Sequence, residues 1–147
     1  RMGGYIDRLD MSGGKIRVID YKTGSRQQKE LKSTDDIFDA SKIESHTDYY
    51  LQTLLYAVII AADKSINPMS LPVTPQLFFV QKMSSRDFSP SLVINGAEID
   101  DAQDIAKEYI EGLQRLLADI LNPELPFAPT SRTATCLTCP LSQICRT

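Results

Sequence analysis

Nothing in this chain is long and apolar enough to span a bilayer. The longest apolar run, Leu54 to Ala62, is broken by Tyr56 and reaches about half of the roughly 20 residues a membrane helix needs. No stretch has the basic start, apolar middle and small-residue end of a signal peptide. A basic surplus is missing too. The net charge is −3, so no global positive field advertises nucleic acid, which counts against a pure nucleic-acid-binding module. Cysteine is scarce: the chain has three, Cys136, Cys139 and Cys145. An odd number crowded into a tail argues against a secreted disulfide framework, and ligation of a metal or cluster in a reducing cytoplasm fits better. The single histidine, His46, sits in a polar connection and reads as a surface residue. There is no internal repeat and no low-complexity run.

What is present suffices for one domain with a single core, since the chain has 147 residues. It opens on Arg1-Met2 and enters a strand almost at once, as expected of a domain whose upstream part is missing. Tyr5 to Asp10 and Lys15 to Lys22 read as strands. Gly13-Gly14 supplies the positive φ of a tight hairpin. With Ser12-Gly13 as the two-residue turn, Asp7 falls opposite Val18 and shares a face with Val18 and Asp20. Thr23 to Thr47 is polar and reads as a long irregular connection with one or two helical turns. Asp48 to Asp63 reads as a buried helix, apolar almost all round. Gln76 to Gln81 reads as a central strand, and Ser91 to Ile94 as another, ended by Asn95-Gly96. Asp100-Asp101 caps a long helix reaching about Leu121. This order predicts an α/β domain with a small mixed central sheet flanked by helices. The expected division is a core over 1–125 and a cysteine-bearing tail over 126–147.

Two strands carry residues that strands disfavour. Asp20 and Lys22 are two apart and so share a face; Asp7 arrives from the adjoining strand. Carboxylates placed together raise one another's pKa unless a cation intervenes. A bound Mg²⁺ resolves that conflict and keeps waters that can be activated. Lys22 can then stabilise developing negative charge. The alternative is a pair of surface ion pairs, Asp20 with Lys22 and Asp7 with Arg8. On the first helix Gln52 and Tyr56 stand i, i+4 on one face. A glutamine in an apolar helix must find partners, either beside that site or at the helix rim.

These residues resemble the RecB-like branch of the PD-(D/E)XK nucleases. That branch includes AddB-type nuclease domains of helicase–nuclease complexes and the iron–sulfur nucleases of CRISPR adaptation. The shared pattern is Gly4-Tyr5-Ile6-Asp7, then Asp20-Tyr21-Lys22, then Gln52-Thr53-Leu54-Leu55-Tyr56. The resemblance implies a restriction-endonuclease-like core. It implies Asp7, Asp20 and the main-chain carbonyl of Tyr21 as ligands of Mg²⁺ or Mn²⁺, with Lys22 as the catalytic lysine. Gln52 would position that lysine or the water, and Tyr56 would face the DNA backbone. The implied activity is a metal-dependent DNA exonuclease acting with a helicase or nuclease partner subunit in DNA end processing. A non-catalytic DNA-binding or assembly module on the same fold, or a CRISPR-type nuclease, would share the pattern.

Cys136-x-x-Cys139-x5-Cys145 resembles the C-terminal end of the AddB-type staple for a 4Fe-4S cluster. The spacing also admits zinc, and free thiols or an adventitious disulfide are the plainer alternatives. The family's fourth cysteine and its metal-binding histidine lie upstream of the first strand and are absent from this chain, which is therefore expected to hold no stable cluster. Arg26, Lys29 and Lys32 follow the Asp-x-Lys strand within one loop. They would track a DNA backbone, or else form an ordinary solvated loop.

Overall fold

Alternation of branched apolar and polar residues makes Lys15–Lys22 a strand, and in the computed structural model it is the middle one. The structure describes residues 4–24, 29–126, 136, 137, 139–142 and 144. The chain divides into two compact units, Arg1–Leu116 and Leu117–Thr147. In the first, β1 (Arg8–Ser12) pairs antiparallel with β2 (Lys15–Lys22), and β2 pairs parallel with β3 (Val73–Phe79). The helix α1 (Thr47–Ala62) connects the parallel pair, as a parallel crossover requires. A short hairpin follows, β4 (Val93–Ile94) and β5 (Ala97–Glu98), and then α2 (Ala106–Leu121). The fold is α/β, a small mixed sheet flanked by helices, consistent with a restriction-endonuclease-like core.

The β1–β2 turn is Gly13-Gly14, not Ser12-Gly13. Both glycines have positive φ, +59° and +76°, and Ser12 pairs with Lys15. Two consecutive left-handed residues match the twist of a hairpin, and two glycines adopt them without strain. The expected register was therefore off by two residues. Because side chains alternate with period two, a slip of two leaves every face unchanged.

β3 is not central. It begins at Val73 and borders the sheet. Pro75 explains why it can sit there. The Leu77 N–H points away from β2, to the Pro90 carbonyl at 2.8 Å, and the Val73 N–H likewise leaves the sheet for Asp101 Oδ1 at 3.1 Å. Pro75 lies between them in the same phase, so its missing N–H is no loss to the β2 ladder. The continuously apolar Leu77-Phe78-Phe79 looked like a central strand because both its faces are covered. Leu77 and Phe79 join the core against α1, and the Phe78 ring meets Tyr21 and Phe88 on the other face.

The core lies between this sheet and α1. Ile16 and Val18 from β2, Val73, Leu77 and Phe79 from β3, and Tyr50, Leu54 and Ala57 from α1 are all buried. The connection after β2 is irregular, with 3-10 turns at Thr34–Phe38 and Ala40–Ser45, as its polar composition predicts. Tyr50 ties α1 to β4: its hydroxyl donates to the Val93 carbonyl at 2.8 Å and accepts from the Val93 N–H at 3.2 Å. Asn95-Gly96, expected only to end a strand, turns a hairpin with φ of +51° and +75°. Asp101, not Asp100, supplies the cap: its carboxylate accepts from the Gln103 N–H at 3.1 Å, and a 3-10 turn, Ala102–Asp104, precedes α2. Early α2 packs closely. A Cβ on Gly112 would overlap the Phe38 ring, and the Tyr109 hydroxyl donates to the Leu51 carbonyl at 2.7 Å. Among the described residues, no helix is long and apolar enough to cross a membrane.

Candidate active site

The end of β2 carries two charges on the face that α1 covers. Asp20 is 4 % exposed. Its Oδ2 lies 2.7 Å from Lys22 Nζ. Burial pushes the Asp20 carboxyl above its ordinary range; Lys22 opposes that rise and the Asp7 charge adds to it. A carboxylate with only a flexible lysine beside it is expensive to bury. Among the described residues no hydrogen-bond donor is aligned on Asp20 Oδ2.

Lys22 reaches from β2 to α1. Its Nζ donates to Gln52 Oε1 at 3.1 Å. Gln52 Nε2 in turn donates to the Tyr56 hydroxyl at 3.4 Å, a long bond. The i, i+4 spacing puts Gln52 and Tyr56 on one face of α1. Tyr56 is buried, and its ring sits against Gly4: a Cβ there would overlap the hydroxyl. A glycine three residues before Asp7 thus makes room for the tyrosine that ends the relay. Asp20, Lys22, Gln52, Tyr56 and Gly4 form one continuous chain of contacts.

Asp7 is exposed and precedes β1 instead of lying within it. The expected strand began at Tyr5; the observed one begins at Arg8, and Asp7 continues the ladder with its side chain. Asp7 Oδ2 accepts the Tyr21 N–H at 2.8 Å, where antiparallel pairing would have offered a carbonyl. The register, Arg8 with Ile19, places Asp7 across from Asp20 and not from Val18. The two carboxylates are close enough for Asp7 to raise Asp20. The Tyr21 side chain points to the opposite face, where Arg8 reaches its hydroxyl at 3.4 Å and Phe78 meets its ring.

A hard cation fits this donor set. Mg²⁺ commonly binds through one or two carboxylates and keeps several waters. Asp20 offers a buried oxygen without an aligned donor, and Asp7 offers a second carboxylate across the hairpin. Among the described residues no group of three His, Cys, Asp or Glu side chains is placed to hold a metal.

Other expected residues stand apart. Lys29 and Lys32 are exposed in the connection. Their main-chain amides are engaged, Lys29 N–H with the Ser45 carbonyl at 3.2 Å and Lys32 N–H with Asp36 Oδ2 at 2.9 Å. Arg26 and Cys145 lie outside the described residues. Cys136 and Cys139 are free, half-buried thiols.

His46 is not a freely exposed loop residue. It precedes α1 in a left-handed conformation, φ 55°, and its side chain is 17 % exposed. It stacks on Tyr49, with centroids 4.7 Å apart and planes at 13°. Tyr49 was not singled out by motif, yet Lys22 Nζ sits over its ring, 4.5 Å from the centroid. The available signal was its position three residues before Gln52, on the same face of α1.

Comparison with curated proteins and with solved structures found no match. A family model of the PD-(D/E)XK nuclease superfamily does match, over residues 1–146. That span takes in both acidic residues, the lysine and the glutamine-bearing helix that the fold brings to one end of the sheet; the chain belongs to the PD-(D/E)XK nuclease superfamily.

Proposed function

We propose that this domain is a metal-dependent DNA exonuclease working within a helicase–nuclease that processes DNA ends. The observation that carries the reading is the lysine held between a buried carboxylate and a glutamine: Lys22 Nζ is 2.7 Å from Asp20 and 3.1 Å from Gln52. A strand does not bury an aspartate and a lysine for stability, since a buried pair is often no better than apolar residues of the same size. Superfamily membership supplies the chemistry such a pair would serve.

In this reading Asp7, Asp20 and the Tyr21 carbonyl hold Mg²⁺ or Mn²⁺. When bound, the ion supplies charge neutralisation at the scissile phosphate and a more acidic water. Lys22 presents its ammonium to the negative charge that builds on the phosphate oxygens. Gln52 fixes the lysine by accepting from it, and leaves its amide to Tyr56. The basic residues Arg26 and Lys29 track the DNA backbone, and Tyr56, buried against Gly4, supports the Gln52 amide instead of meeting the DNA directly. Cys136, Cys139 and Cys145 would supply three thiolates to an iron–sulfur cluster, the fourth ligand coming from elsewhere, with 126–147 as the tail that carries them.

The test is cleavage of end-labelled linear DNA in Mg²⁺. The wild-type protein should release nucleotides from ends and spare circular DNA. Asp20→Ala and Lys22→Ala should lose cleavage while keeping the wild-type circular-dichroism spectrum. Cleavage persisting in either variant would remove the mechanism. DNA binding without any cleavage, unaffected by Asp20→Ala, would identify a non-catalytic module instead.

A further inference from the structure

We infer that Tyr49 is a positioning residue for Lys22, holding its ammonium by the face of the aromatic ring; this rests on the nuclease reading above. A lysine ammonium on a four-carbon stem is mobile unless several groups hold it. Here three do. Asp20 Oδ2 takes one side at 2.7 Å and Gln52 Oε1 another at 3.1 Å. The third is the Tyr49 ring, with Nζ 4.5 Å from its centroid, well inside the range over which a ring quadrupole attracts a cation.

The ring is itself fixed. His46 stacks on it nearly parallel, at 13° and 4.7 Å. Phe79, only 1 % exposed at the end of β3, meets it tilted, with centroids 6.1 Å apart. Tyr49 is therefore set between the start of α1 and the core, and cannot swing away without breaking both contacts.

The ring matters most when the carboxylate is engaged elsewhere. A divalent ion on Asp20 would compete for Oδ2 and repel the ammonium. Of the three holds, only Gln52 and Tyr49 would then remain. The glutamine sets one distance, and the ring face limits where the amine can go around it. A ring face holds the ammonium near the site without consuming a hydrogen bond, so its protons stay free for a phosphate oxygen or a water.

Two measurements on the full chain test this. In Tyr49→Leu, kcat for end-labelled DNA in Mg²⁺ should fall about tenfold with KM within about twofold of wild type; Tyr49→Phe, which keeps the ring, should restore wild-type kcat. Independently of turnover, the Lys22 ε-methylene protons should resonate upfield in the wild type and in Tyr49→Phe through the ring current. The shift should persist in Mg²⁺ and vanish in Tyr49→Leu. Wild-type kcat in Tyr49→Leu would overturn the inference, as would unshifted Lys22 signals in the wild type. So would a Tyr49→Phe variant as slow as Tyr49→Leu, which would assign the effect to the hydroxyl. If the wild type fails to cleave DNA, or Lys22→Ala cleaves normally, the nuclease reading falls. The ring-current shift then still decides whether Tyr49 holds the lysine.

Discussion

Asp20 and Lys22 stand two residues apart on the central strand, and their charged ends meet at 2.7 Å beneath the first helix. The acid is buried and the base only partly so, with side-chain exposures of 6 % and 17 %. The pair is thus held out of water without being symmetrically paired. The lysine divides its attention among Asp20, Gln52 and Tyr49, while among the described residues Lys22 is the one cation beside the acid's buried Oδ2 and no donor is well aligned on it. That imbalance sets what each substitution should do.

Burial holds the Asp20 carboxyl above its ordinary pKa, so the fold favours its neutral form. The stability contributed by a group raised in this way is present at low pH and is lost as pH rises through the folded-state value. At neutral pH the ionised acid is therefore a burden that a cation would relieve. Thermal unfolding should show it. Metal-free Asp20→Asn should melt no lower than the wild type. Saturating Mg²⁺ should raise the wild-type melting point, by an amount equivalent to about 2.7 kcal/mol at a hundred times the dissociation constant. The variant should not respond. Equal shifts in both proteins would place the ion elsewhere.

Gly4 and Tyr56 should behave as one unit. A Cβ at position 4 would overlap the tyrosine hydroxyl, which Gln52 also contacts. Gly4→Ala should cut cleavage about tenfold, yet leave the melting point nearly unchanged, because residue 4 is exposed and precedes the sheet. Tyr56→Phe removes the overlapping oxygen. The double variant should consequently be less impaired than the two single effects multiplied together, and a cycle of the four proteins measures that coupling. Strict additivity would separate the two residues.

Away from the site, Asp36 anchors the connection after β2. Its carboxylate accepts from Lys42 Nζ, from the Lys32 N–H at 2.9 Å and from the Ser33 hydroxyl at 3.2 Å. Lys42 foremost, with the backbone donor, holds its pKa below the usual carboxylate range. A depressed acid contributes stability above its unfolded-state pKa and loses it as pH falls through the folded-state value. Asp36→Asn should cost about 1–2 kcal/mol at neutral pH in urea unfolding. The gap from wild type should begin to narrow below about pH 4, near the unfolded-state value, and close only at lower pH, where the folded carboxyl is protonated as well. A gap independent of pH would assign the cost to packing.

Much of this architecture is legible in the residues themselves. The alternation in Lys15 to Lys22 gave the strand its observed ends, and the apolar run from Tyr49 placed α1 within a residue at each end. The hairpin register was not legible, because two glycines and a serine offer two turns of equal length; only the twist preference for consecutive left-handed residues separates them. The position of β3 was missed because burial on two faces looks the same whether it comes from neighbouring strands or from packing above and below. The candidate site was easier to read than the sheet. Asp20, Lys22 and Gln52 each break a local rule, a charge or amide where an apolar residue would fit, and such exceptions collect where a chain does chemistry; Tyr56 was found through its i, i+4 spacing from Gln52. Tyr49 breaks no rule; its one signal was the i, i+3 spacing to Gln52, too common by itself to mark it before the lysine is seen across its ring.

The Asp7 carboxylate stands in for a strand carbonyl, closing the mouth of the β1–β2 hairpin on the Tyr21 amide. Removing it would do two things together: subtract an anion and leave a main-chain donor without its acceptor. Loss of activity in an Asp7 knockout would therefore be ambiguous between altered electrostatics and a loosened hairpin end. Asp20, whose side chain bonds no main-chain group among the described residues, is the position at which the site's charge can be changed without unfastening the hairpin, although Lys22 loses one of its partners.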